Sequence, residues 1–286
     1  MQPEEARVET RIPLLNASSD VPLDFGRGFT LRPVTSEEAA RWACDEHVRD
    51  IVPHRVFPQV KWILLAEHRR RAAEALEYAF MAFFGSSSLL AGREVEAAFL
   101  EEWLVQPDGA ERMLHGSIMV FPLNLPVSSA PPWQGPIPLQ GVCEAISAAS
   151  ERFSGNGQFR FALSRWLYAQ NRSRRSAEDA VLDLSIALEA LFIGSDECDI
   201  SIAKALRERI SIFWSGSRIG KNARLIRSKV HDAYKIRSQI AHGEVVEVER
   251  LDTARKDLEM ILRETLLDFA AGALTDFDPL KLWVPT

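Results

Sequence analysis

Arg237 and His242 put a permanent cation and a titratable ring near one helix end. They stand five apart in Arg237-Ser-Gln-Ile-Ala-His242, followed by Gly243. A guanidinium is planar and always charged, and its fork matches phosphate oxygens. An imidazole, with an ordinary pKa of about 6.5, moves protons near neutral pH. Five helical residues turn through about 500°, or roughly 140° net, so the two side chains do not stack. At a fraying helix end both can still reach one groove. His231, Lys235, Ser238 and His242 also fall on one stripe by the i, i+4, i+7, i+11 rule. One helix thus offers a cation, a hydroxyl and a titratable ring on adjoining faces. The plainer reading of His242 is a partner for the helix dipole ahead of a glycine cap, worth under ~1 kcal/mol.

Three charged residues sit in apolar surroundings. Glu189 lies inside Ile186-Ala-Leu-Glu-Ala-Leu-Phe192, with Ser185, Ile186, Phe192 and Ile193 at helical spacing. Arg209 neighbours Ala205, Leu206, Ile212 and Phe213; Arg237 neighbours Ala233, Tyr234, Ile240 and Ala241. An isolated buried charge costs several kcal/mol, so each must be paired or functional. A structural bridge between Glu189 and one of the arginines is one outcome; a site that orients Arg237 is the other.

The stretch from Ser201 to Ile240 holds ten Lys or Arg against Glu208 and Asp232, a balance of ten minus two, or +8, in a chain of net charge −6. Lys204, Arg224, Arg227, Lys229 and Lys235 are its candidate contacts to a phosphate backbone. The alternative is a solvated helix face.

The elements that must position these residues are helices. Val142 to Phe153 reads as a short helix, and Gln158 to Gln170 carries a stripe of Phe161, Leu163, Trp166 and Leu167. Ser176 starts a helix with Glu178 and Asp179 in its first turn, where carboxylates suit the dipole, and Gly194 ends it. Further helices are expected over about Ile200 to Trp214, Leu225 to Ala241 and Arg250 to Ala271, with Gly243 as a left-handed cap. Short loops make these a bundle.

Before them the reading is mixed. Phe29 to Val34 and Trp62 to Ala66 are expected strands; Glu37 to Asp50 and Arg69 to Phe84 are expected helices, the second ended by Gly85-Ser-Ser-Ser88. Pro107-Asp-Gly109 marks a turn between strands, the second ending in Ser117 to Phe121. Pro126, Pro131, Pro132, Pro136 and Pro138 make Pro122 to Gly141 an extended connector.

Composition excludes several classes. Charged residues are 26% and hydrophobic ones 47%, as in soluble globular chains. No apolar run reaches the roughly 18 residues that span a bilayer, so no membrane partner is expected. The first ten residues show no secretory signal, and Cys44, Cys143 and Cys198 lie far apart, which reads as a reduced, cytoplasmic protein. His47, His54 and His68 lack metal-ligand spacing, and neither a Gly-rich phosphate loop nor a GxSxG elbow is present; no metal or cofactor is expected. The seven Trp are expected to fill cores rather than stack bases.

Arg237-x4-His242-Gly243, Ser185-Ile-Ala-Leu-Glu-Ala-Leu-Phe192, Leu206-x-x-Arg209 and the segment from Tyr234 to Gly243 occur in that order on expected helices. Together they resemble the Apea-like branch of the HEPN family over about 115 residues, from roughly Gln158 to Leu274. The resemblance implies a helical homodimer with a composite groove that cleaves RNA without metal, in anti-phage defence or a toxin-like stress response. In that reading Arg237 binds phosphate, His242 is the acid and base, Ser238 and Tyr234 assist, and Glu189 and Arg209 orient the site or the fold. Many family members carry Asn, Asp or His where Ser238 stands; a hydroxyl binds phosphate but does not titrate. The alternative is a non-catalytic dimerisation and nucleic-acid-binding module. The expected fold is mainly α: a HEPN-type bundle at 141–286, preceded by a mixed α+β domain at 1–140 whose role the sequence leaves open.

Overall fold

The computed structural model describes residues 7–45, 60–69, 73–92, 95, 100–106, 110–118, 136–172, 176–193, 201–216, 223–274 and 278. The chain forms two compact units, Met1–Glu151 and Arg152–Thr286.

The first unit is built on a six-stranded antiparallel sheet. Its strands are β1 (Arg7–Leu14), β3 (Leu23–Gly26), β4 (Phe29–Pro33), β5 (Trp62–Arg69), β6 (Leu100–Val105) and β7 (Glu111–Ile118), in the order β3-β4-β5-β1-β6-β7. Strand β1 pairs with β5 on one side and β6 on the other, placing Ile12 opposite Leu64 and Arg11 opposite Glu101. Side chains alternate across a strand, so the central strand serves two faces. Ile12, Leu14, Phe29, Leu31, Leu64 and Ala66 join a buried cluster with Phe80, Phe83 and Phe84 of helix α2 (Ala73–Ala91). There Phe29 stacks on Phe83 at 5.4 Å, and Phe25 meets the same ring edge-on at 4.9 Å. Each such ring contributes about 2–3 kcal/mol by leaving water.

The other face is charged. Glu9 and Arg11 of β1 are buried with Glu101 of β6, and helix α1 (Ser36–Cys44) adds Glu38 and Trp42. Thr35 caps α1 in a capping box with Glu38, satisfying backbone donors at both ends of the turn.

The strands expected from Phe29 and from Trp62 are present as β4 and β5. The second helix differs from its expectation. It begins at Ala73, since Arg69 belongs to β5, and runs through Gly85 to Ser88 as far as Ala91. Ser86, Ser87 and Ser88 are almost fully buried, and the Ser88 hydroxyl accepts the Val95 backbone N–H at 3.1 Å. Burial overrides the turn preference of this small-residue run. Residues 107–109 of the expected turn lie outside the described residues, but β6 and β7 flank it as an antiparallel pair. Of the proline-rich connector, the part from Pro136 onward is described, and it belongs to the fold. Ile137–Pro138 (β8) pairs in parallel with Ala17–Ser18 (β2), and Leu139 is buried. A 3₁₀ turn, Gln140–Val142, leads into helix α3 (Cys143–Gly155), whose Ile146 joins the first unit's core. The packing boundary at 151/152 thus falls inside α3, later than the expected 140/141.

The second unit is a helical bundle: α4 (Gly157–Arg172), α5 (Ala177–Phe192), α6 (Ile202–Gly216), α7 (Ala223–Ala241) and α8 (Val248–Ala270). Helix α5 is the hub and packs against the other four. Its start is the one expected: Ser176 accepts the Asp179 N–H, with Glu178 and Asp179 in the first turn. Val181, Leu184, Leu188, Leu191 and Phe192 are buried. On α4 the buried stripe is Phe159, Ala162, Leu163, Trp166 and Leu167; Phe161, expected inside, is 40% exposed. Phe159 takes its place, stacked on Phe269 of α8 at 3.8 Å.

Candidate functional site

Helix α7 carries the site. Ile226, Val230, Ala233 and Ile236 form its buried stripe, which sets the rotation of every other residue on it. Arg237 follows Ile236 and is therefore half-buried beside the core. The helix ends in a Schellman motif: the Gly243 N–H bonds the Ile240 carbonyl and the Glu244 N–H bonds that of Gln239, both at 2.9 Å. Gly243 takes φ +75°, the left-handed conformation this motif needs. The Gln239 amide also donates to the Glu244 carboxylate at 2.9 Å, a side-chain clasp across the turn. His242, at the cap, is exposed.

Arg237 has a partner on α5. Its Nη2 lies 3.4 Å from Oε1 of Glu189, with the two side chains 29% and 21% exposed. Its guanidinium carbon is 5.4 Å from the centroid of the Tyr234 ring, in cation–π range. The Tyr234 phenol is pushed up to about 12, first by burial and then by the charge of Glu189; the charge of Arg237 opposes the shift. Tyr234 is therefore a neutral donor at physiological pH. Arg237, Glu189 and Tyr234 form one group drawn from two helices.

Arg209 is separate. It is 3% exposed, and its Nη1 donates to the Phe192 carbonyl at 2.9 Å, close to the C-terminus of α5. Of the two arginines considered for Glu189, the structure brings Arg237 to it and turns Arg209 to the backbone. Ser238 is partly buried one residue beyond Arg237.

The basic stretch does not present one uniform face. Arg227 pairs with Glu208, which also takes Arg207 at 3.1 Å, and Lys229 pairs with Asp257 of α8. Lys204, Arg224 and Lys235 are exposed. Lys235 borders an open groove of about 380 Å³ between α7 and α8, together with Asp232, Glu249, Arg250 and Asp257, so charges of both signs meet there. Arg218 and Lys221 lie outside the described residues.

The sequence reading missed the charged face of the first unit. Arg11 bonds Glu9 and Glu111, each at 2.6 Å. Glu38 takes a two-pronged contact from Arg32, at 2.6 and 2.8 Å. Glu101, 1% exposed, accepts from Arg41 at 2.7 Å, from the Trp42 indole at 2.8 Å and from the Trp103 indole at 3.1 Å. The guanidinium carbons of Arg11 and Arg41 lie 4.7 and 4.6 Å from the Trp103 ring. Burial pushes Glu38 up, but Arg32 and Thr35 outweigh it and bring the carboxyl down to about 2. The signal was the alternation Arg7-Val-Glu-Thr-Arg-Ile12, charged at every second residue. Among the described residues Arg11, Arg32 and Arg41 of this network are each paired with a carboxylate.

Among the described residues no three His, Cys, Asp or Glu are grouped as metal ligands, and no helix is long and apolar enough to cross a membrane. His47, His54 and Cys198 lie outside the described residues. Compared with known proteins, the chain matches no family model, no curated protein and no solved structure.

Proposed function

We propose that the helical unit is a metal-independent endoribonuclease of HEPN type, acting as a homodimer in anti-phage defence or a toxin-like stress response. The observation that carries this reading is the end of α7. A half-buried arginine, held by Glu189 and Tyr234, stands five residues before an exposed histidine on a glycine-capped turn. In this reading Arg237 takes the scissile phosphate. The ribose 2′-oxygen attacks phosphorus and gives its proton to one imidazole. The 5′-oxygen leaves and takes a proton from a second, protonated imidazole, leaving a 2′,3′-cyclic phosphate. One chain offers one such histidine, so the two rings come from His242 of two copies across a twofold axis. Ser238 donates a hydrogen bond to phosphate, and Tyr234 stays neutral.

The test is cleavage of mixed single-stranded and transfer RNA in EDTA by wild type, His242→Ala and Arg237→Ala. Cleavage by wild type alone, with cyclic-phosphate ends, supports the reading. Equal cleavage by the variants sinks it.

The second reading, a module that binds nucleic acid without cutting it, draws on the exposed basic side chains Lys204, Arg224 and Lys235. It expects low-salt RNA affinity with no product.

A further inference from the structure

The pair at the centre of the site is under-satisfied. Glu189 Oε1 and Arg237 Nε are both buried atoms with no hydrogen-bond partner, and the 3.4 Å approach between the side chains exceeds the roughly 2.7–2.9 Å of a charge-assisted bond. Native proteins rarely leave such atoms unpaired, and each exception calls for a physical explanation. Arg237 has five N–H donors. Its Nε and one Nη form an edge that a phosphate meets with two oxygens. Glu189 supplies one oxygen to Nη2 and leaves Nε empty. It also cancels the charge: one carboxylate and one guanidinium sum to zero, so an incoming phosphate meets a neutral group instead of a cation. Tyr234 adds a ring face and no charge.

We propose that Glu189 is an internal anion that occupies Arg237 in the resting protein, and that a phosphate must displace it to use the full guanidinium edge. The site is thereby held below its intrinsic anion affinity. This regulation rests on the reading of Arg237 as the phosphate residue. It differs from a positioning role, in which Glu189 aids phosphate binding by fixing Arg237. The two accounts predict opposite signs for one substitution.

The experiment uses the full chain and Glu189→Gln, which keeps the shape and removes the charge. Arg237 is modified with phenylglyoxal and followed by peptide mass spectrometry, alone and with inorganic phosphate as protectant. The displacement model expects Arg237 to react roughly fivefold faster in the variant, and half-protection at roughly fivefold less phosphate, the size of an ion pair of about 1 kcal/mol. Slower or unchanged modification with weaker protection overturns it and makes Glu189 a positioning residue. If Glu189→Gln melts below working temperature, Glu189→Ala is judged on the same two readouts. Anisotropy with a labelled oligouridylate at low salt tests the underlying reading separately. Faster modification and tighter phosphate protection, with no oligouridylate binding by either protein, would keep the displacement model and remove RNA as the ligand.

Discussion

The Nη1 of Arg209 lies 2.9 Å from the carbonyl oxygen of Phe192, inside the bundle. The last carbonyls of a helix have no partner within it, and a buried one must find a donor elsewhere. Arg209 of α6 supplies that donor near the end of α5, tying two helices together. Arg209→Ala is expected to destabilise the helical unit by about 2–3 kcal/mol, since it removes a buried, charge-assisted hydrogen bond to the Phe192 carbonyl. Urea unfolding measures this. A loss below about 1 kcal/mol would mean that the contact contributes little.

His242→Ala is expected to leave stability within about 0.5 kcal/mol of wild type, because the side chain is exposed. Loss of RNA cleavage in this variant then reports chemistry and not unfolding. Thermal melts run beside the cleavage assay separate the two.

Two glycines with positive φ make a contrast. At Gly243, φ +75°, an added Cβ meets nothing within 4 Å. Gly243→Ala should therefore cost only the left-handed backbone term, about 1 kcal/mol, while loosening the turn that carries His242. At Gly28, φ +81°, an added Cβ would lie 3.0 Å from the Glu67 carbonyl oxygen. Gly28→Ala should cost more, since backbone must also move. Equal midpoint shifts in denaturant would contradict the packing seen at β5.

Glu38 sets an acid limit on the first unit. Its carboxyl falls from an ordinary 4.5 to about 2 in the folded chain. The stabilisation is complete above about pH 4.5 and is lost as pH falls towards about 2, in total on the order of 3 kcal/mol. Glu38→Gln is expected to lower stability at pH 7 and to flatten the fall between those limits. An unchanged pH profile would show that the pairing with Arg32 carries no stability.

If the helical unit binds RNA, its exposed lysines should carry more of the salt dependence than the paired ones. Lys204→Ala and Lys235→Ala are each expected to reduce the slope of log K against log salt by about 0.7, the single-strand value per phosphate. Arg227 and Lys229, held by Glu208 and Asp257, should change it less. Equal effects from all four would mean that the internal pairs open on binding.

The sequence by itself determined the helical elements of the second unit, because period, caps and breakers are local. Ser176 before two carboxylates and Gly243 after Ala241 act within one turn of backbone. It also marked Glu189, Arg209 and Arg237 as charges that could not lie alone, since the apolar residues around each sit three and four positions away. Tertiary packing decided which met which. Glu189 and Arg237 are 48 residues apart in sequence and become partners because α7 rests against α5, whereas Arg209 meets a backbone carbonyl that carries no sequence signal. Packing likewise carried α2 through Gly85 and three serines, where local preference indicated a stop. It also dispersed the +8 stretch, drawing Arg227 and Lys229 to acids on other helices. A charge run is counted along the chain, but its field depends on what folds beside it.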